Sequence, residues 1–159
     1  QDHRFSPVTP DELAAIEIEL SVLTEPALIS SIGEIRPGID GIIVSNNGGR
    51  HFDGAPASID ILPAIVAAVG SRATVMLDSG IRGGLDIVRA LALGAKATFA
   101  GRPFLYGLGA LGEEGARHVT DMFFDELRTE FQHVGARSVA EAAKVTARHP
   151  GAWRHTQGE

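Results

Sequence analysis

Gly41-Ile42-Ile43-Val44-Ser45-Asn46-Asn47-Gly48-Gly49-Arg50-His51-Phe52-Asp53-Gly54 is the stretch from which the rest of the chain can be read. Ile42, Ile43 and Val44 form a β-branched run too short for a helix, and at Ser45 it gives way to a polar, glycine-rich loop that lasts to Gly54. An apolar helix is predicted to follow from about Ile59 to Val69. An apolar strand, a polar loop and a helix make one repeating unit.

Downstream the unit recurs, with a strand predicted over Ala73 to Leu77, its loop over Asp78 to Gly84 and a helix over Leu85 to Leu93. Ala97 to Ala100 reads as a further strand, after which Gly101-Arg102-Pro103 leads into helical sequence interrupted by Gly107, Gly109 and Gly112. A long amphipathic helix is predicted from about Glu113 to Val134, and a short one from Ser138 to about Ala147. Upstream, Thr9-Pro10-Asp11-Glu12 carries helix-start chemistry: Thr9 caps, Pro10 suits the first helical position and Glu12 closes a capping box. That helix should reach about Glu19, with a buried strand over Leu20 to Leu23 and a second helix over Ala27 to Ile35, ending near Pro37-Gly38.

Strands that are apolar on both faces and alternate with helices indicate a parallel sheet covered by helices. The expected class is therefore α/β, with about four parallel strands. A closed eight-unit barrel needs about 250 residues, and at 159 residues this chain fits half of one, with an open sheet as the alternative. Residues 1–148 are assigned to the partial barrel and 149–159 to a flexible tail. Half a barrel leaves two strand edges unpaired and an apolar interior uncovered. The chain is thus expected to be part of a longer protein or to self-associate, and it opens on Gln1 rather than Met.

Fourteen basic against 20 acidic residues give a formal charge of -6, which argues against nucleic acid as the partner. With no cysteine there is no disulfide, thiolate metal site or thiol nucleophile, and no metal is expected. No apolar window reaches the roughly 18 residues of a membrane span, and the polar Gln1 to Pro7 segment is unlike a signal peptide. A cytoplasmic location is the expectation.

In parallel α/β folds, ligands gather where strands run into helices. Asp78-Ser79-Gly80-Ile81-Arg82 and Gly101-Arg102 occupy two such places, each combining backbone amides that glycine leaves accessible with a guanidinium. Side by side they predict a phosphate site. In the third loop, Arg50 offers a planar fork for a substrate carboxylate.

Ser45 to Asp53 resembles the Ser-Asn-His-Gly-Gly-Arg-Gln-Leu-Asp signature of the FMN-dependent α-hydroxy acid dehydrogenases and oxidases. Leu77 to Gly84, Ala90 to Ala95, Gly101-Arg102-Pro103, Gly112 to Gly115 and Gly135 to Ser138 continue the resemblance in order. It implies the carboxyl-terminal half of a TIM (β/α)8 barrel, FMN as cofactor and a small, lactate-like L-2-hydroxy acid as substrate. It further implies that Ser45 contacts the flavin, that Arg50 holds the substrate carboxylate, and that Asp78, Ser79, Gly80, Ile81, Arg82, Gly101 and Arg102 hold the ribityl and phosphate groups.

Ser79, whose side chain is too small to close the site, stands where the family more usually has Gly, and two further departures matter more. The family's histidine base aligns with Asn47, whose amide has no basic lone pair at neutral pH. The family's flavin-stabilising lysine aligns with Ser21, which carries no charge. Impaired turnover is expected, with a non-catalytic FMN- or phosphate-binding half barrel, or an assembly partner, as the alternative. His51, four positions after Asn47, is expected to point elsewhere.

Overall fold

The structure, a computed structural model, describes residues 17–19 and 39–147. Strand β1 (Glu17–Glu19), β2 (Gly41–Ser45) and β3 (Thr74–Leu77) form a parallel sheet in the order β1-β2-β3. The helices are α1 (Ser58–Val69), α2 (Gly84–Ala92), α3 (Arg102–Leu111), α4 (Gly115–His133) and α5 (Val139–Ala142).

One face of the sheet carries the core. Alternation along β2 and β3 turns Ile42, Val44, Val75 and Leu77 to the same side. There they are buried against Ile61, Leu62, Ile65 and Val69 of α1 and Ala90 of α2. Each such fully buried Leu, Ile or Val side chain contributes about 1.5–3 kcal/mol. The opposite parity sends Ser45 and Asp78 to the other face, at the carboxyl ends of adjacent strands, where the loops begin. A smaller cluster of Leu91, Ala136 and Ala142, backed by Ile87 and Phe131, ties the α4–α5 connection to α2.

Four sequence expectations require correction. Glu17–Glu19 is strand, paired with Ile43–Ser45, and not the end of a helix. Pairing with a buried neighbour overrides the helix preference of glutamate, since propensity is worth only tenths of a kcal/mol per residue, about 0.7 at most for ordinary types. Ala97 to Ala100 forms a single parallel bridge, Leu77 to Thr98, in place of a full strand. Around it Lys96 N donates to Val75 O at 2.8 Å and Phe99 N to Leu77 O at 2.8 Å, so the segment still lies along the β3 edge. The helix after Pro103 runs unbroken through Gly107 and Gly109 and ends at Leu111, where Gly112 takes a φ of +59°. A Cβ on Gly107 would lie 2.6 Å from Val119 Cγ2 and 2.8 Å from the Gly115 carbonyl, so this glycine permits close packing of α3 on α4. The helix predicted from Ser138 covers only Val139–Ala142, with the Ser138 hydroxyl accepting from Glu141 N at 3.2 Å as its cap.

The remaining elements match within a residue or two, except that a short 3-10 turn, Gly112–Glu114, precedes α4. The helix start at Thr9, the strand at Leu20 to Leu23, the helix at Ala27 to Ile35, Ser21 and the tail 149–159 lie outside the described residues.

Candidate functional site: a cleft of three loops

The loops after β2, after β3 and before α3 open together. A cleft of about 290 Å³ is lined by Asn47 and Arg50 from the first, Asp78 to Arg82 from the second, and Gly101 and Arg102 from the third. Phe99 and Leu105 supply apolar wall, and both are exposed. Sequence reading missed these two, because a lone Phe in a strand-like run and a lone Leu in a helix look like core.

The loop after β2 turns sharply because Asn47, Gly48 and Gly49 all adopt positive φ, at 55°, 69° and 71°. Asn46 Oδ1 accepts from Gly49 N at 3.1 Å, closing the turn in the way that short polar side chains favour. Chain reversal over so few residues brings side chains four apart into contact. Asn47 Nδ2 lies 3.3 Å from both ring nitrogens of His51, contrary to the expectation that His51 points elsewhere. Arg50 Nε donates to Asn47 Oδ1 at 3.0 Å, so the Asn47 amide joins its two neighbours.

Asp78 organises the second loop. Its Oδ2 accepts from Ser45 Oγ at 2.6 Å and from Ser79 Oγ at 3.0 Å. With their protons committed to the carboxylate, the two hydroxyls turn lone pairs outward: Ser45 Oγ accepts from Asn47 N at 3.1 Å, and Ser79 Oγ from Gly48 N at 2.9 Å. Ile81 is buried and anchors this loop to the core. Gly84 N donates to Glu126 Oε2 of α4 at 2.8 Å, which pins the start of α2; sequence reading had no signal for this contact between residues 42 apart.

Arg82 N donates to Asp86 Oδ2 at 2.9 Å, and its guanidinium carbon sits 5.9 Å from the Tyr106 ring centroid. Such stacking is worth about 0.5–1 kcal/mol at an exposed site. Arg102, the first residue of α3, donates from Nη2 to the Gly48 carbonyl and so crosses from the third loop to the first.

The cleft suits a phosphate-bearing ligand. A Cβ built on Gly80 or Gly101 meets nothing within 4 Å, so both glycines border open space where a ligand can approach the backbone. The amino-terminal end of α3 adds its dipole to a cleft that Arg50, Arg82 and Arg102 also line. His118 and His133, by contrast, are exposed on α4, with His133 Nδ1 3.5 Å from Glu130 Oε2. Among the described residues, no group of three or more His, Cys, Asp or Glu side chains could hold a metal ion.

Residues 34–149 match the family model of the FMN-dependent dehydrogenases. The chain belongs to the FMN-dependent dehydrogenase family. It is 51% identical over 107 residues to 2-hydroxyacid oxidase 2 of Bos taurus, covering 67% of this chain and 30% of that protein. Over a similar stretch it is 50% identical to an L-lactate dehydrogenase of Allorhizobium ampelinum, covering 67% of this chain and 28% of that one. Among solved structures, a mandelate oxidase with benzoyl-formic acid superposes with a TM-score of 0.71 at 37% identity, over 80% of this chain and 37% of the oxidase. The chain thus spans about a third of the length of its relatives. With this likeness the parallel strands and flanking helices are those of a partial TIM barrel, and the open-sheet alternative falls away. FMN is the cofactor of the family. Among the described residues no helix is long and apolar enough to cross a membrane.

Proposed function

We propose that this member of the FMN-dependent dehydrogenase family forms the phosphate- and carboxylate-binding wall of an FMN-dependent L-2-hydroxy acid oxidoreductase acting on a small, lactate-like acid. The observation that carries the reading is that Arg50, Arg82 and Arg102 line one cleft at the carboxyl ends of the strands. Three guanidinium groups at one mouth match a ligand with a phosphate at one end and a substrate carboxylate near the other.

In this reading Asp78, Gly80, Ile81, Arg82, Gly101 and Arg102 hold the ribityl and phosphate groups of FMN, while Ser45 faces its ring system; Ser21, at the position of the family's lysine, lies outside the described residues. Bound FMN would supply the hydride acceptor for the substrate carbon. Arg50 fixes the substrate carboxylate, and its Nε contact to Asn47 keeps that side chain beside the hydroxyl to be oxidised. Asn47 orients this hydroxyl but takes no proton from it, because an amide nitrogen is not basic. Loss of a general base costs about 10²- to 10⁴-fold in rate, so oxidation by this chain is impaired. The same reading places the protein in the cytoplasm, completed by an amino-terminal half or by self-association.

A second reading, a non-catalytic FMN- or phosphate-binding half barrel or assembly partner, is favoured by one observation. Both ends of the Asn47 amide are already engaged, by Arg50 and His51. Anaerobic titration decides between the two. Adding FMN should give a bound-flavin spectrum, and L-lactate should then bleach it slowly if the first reading holds. Bound flavin that never bleaches selects the second as an FMN binder, and no flavin binding rejects the first and leaves the second only as a phosphate binder or assembly partner.

A further inference from the structure

The backbone of Gly48 is held from two sides. Its N–H donates to Ser79 Oγ at 2.9 Å, across 31 residues, and its carbonyl accepts from Arg102 across 54. The Asn47 N–H is held in parallel by Ser45 Oγ at 3.1 Å. Both hydroxyls give their protons to Asp78 Oδ2, at 2.6 Å and 3.0 Å, and stand 3.3 Å apart. A single carboxylate therefore orients two hydroxyls, and the two hydroxyls hold consecutive amides of the loop carrying Asn47 and Arg50.

Ser79 adopts a φ of +79°, which residues with a side chain rarely take and glycine takes freely. Gly80 beside it, at +82°, already has the freedom such a turn needs. A serine is a costly choice at this backbone position unless its hydroxyl is used. Here that hydroxyl joins two loops.

We propose that Ser79 is a positioning residue: with Ser45 it transmits the charge of Asp78 to the amides of Asn47 and Gly48, and so fixes where the Asn47 and Arg50 side chains stand over the cleft. This inference rests on the reading of Arg50 as the carboxylate clamp. It separates Ser79 from the phosphate-holding groups with which it shares a loop. The hydroxyl bonds to the neighbouring loop, with its one proton committed to Asp78 and one of its two lone pairs to Gly48.

The test compares Ser79→Gly and Ser79→Ala with the parent chain. Glycine removes the hydroxyl and relieves the backbone cost, whereas alanine removes the hydroxyl and keeps that cost. Amide hydrogen exchange at Gly48, followed by NMR, should accelerate roughly three- to tenfold in both variants, the range for one lost hydrogen bond. Ser79→Gly should melt no lower than the parent and bind FMN within about twofold of it, while the Asn47 and Arg50 side-chain N–H signals broaden or shift. Unchanged Gly48 exchange in both variants overturns the proposal. So does a large loss of FMN affinity with the Asn47 and Arg50 signals unmoved, because Ser79 would then be a ligand contact. Failure of the parent chain to bind FMN would reject the flavin reading, and the Gly48 exchange rates would still decide the role of Ser79.

Discussion

Ser45 Oγ donates to Asp78 Oδ2 at 2.6 Å, joining the carboxyl ends of the neighbouring strands β2 and β3. Ser45 is buried, at 4% exposure, and Asp78 half-buried, so this is a partly buried, charge-assisted bond. It converts two consecutive strand ends into one platform for the cleft.

Ser45→Ala should therefore cost about 1–3 kcal/mol, the range for removing a partner from a buried hydrogen-bonded group. Urea denaturation checks the stability, and FMN titration should show weaker binding alongside it. An unchanged denaturation midpoint would show that the existing bond from Ser79 alone is enough to hold Asp78.

Arg102 spans two loops, and its replacement should have two consequences. Arg102→Ala should weaken FMN binding by roughly tenfold or more, as expected for a lost charged hydrogen bond, and should also raise hydrogen exchange in the 45–54 loop. Arg82→Ala should show only the first, since Arg82 makes no described contact to that loop. Equal effects of both substitutions on loop exchange would contradict the latch between Arg102 and Gly48.

Asn47→His combined with Ser21→Lys should restore bleaching of bound flavin by L-lactate, with a gain of at least about 10²-fold over the parent from the base alone. Stopped-flow absorbance under anaerobic conditions measures it. Rapid bleaching by the parent chain would show that Asn47 is no obstacle.

Gly107→Ala should destabilise the chain sharply, because the added methyl would meet Val119 Cγ2 at 2.6 Å and the Gly115 carbonyl at 2.8 Å. Overpacking of this kind costs about 1–3 kcal/mol. Gly109→Ala, whose Cβ would meet nothing within 4 Å, should instead be neutral or slightly stabilising. Thermal melts of the pair distinguish a packing glycine from a merely permissive one.

Ser58 is 2% exposed and its hydroxyl has no hydrogen-bond partner among the described residues. Ser58→Ala should accordingly leave stability unchanged or improve it, since no bond is lost and a desolvated polar group is removed. Leu62→Ala, in the same helix and fully buried, should cost about 2–5 kcal/mol.

Much of the framework was legible in the chain. The β-branched run Ile42 to Val44 and the apolar run ending at Leu77 became β2 and β3, because strands covered on both faces need continuous apolar sequence. Where local signals failed, a distant contact had won. Glu17 to Glu19 looks helical by composition but pairs with Ile43 to Ser45. Gly107 looks like a helix breaker but is the point at which α3 touches α4. His51 was misjudged for a local reason: positive φ at Asn47, Gly48 and Gly49 folds the loop back on itself, which residue spacing does not reveal.

By itself the sequence determined the alternation of strands and helices, the family, and the kinds of group available at the strand ends: arginines, glycines, and an asparagine where the resemblance implies a base. Which of those groups meet was decided only by the tertiary structure. Ser45 and Asp78 lie 33 positions apart, and Gly48 and Arg102 lie 54 apart. Such pairs meet because parallel strands stack their carboxyl ends at one edge of the sheet, and no local propensity encodes that registration.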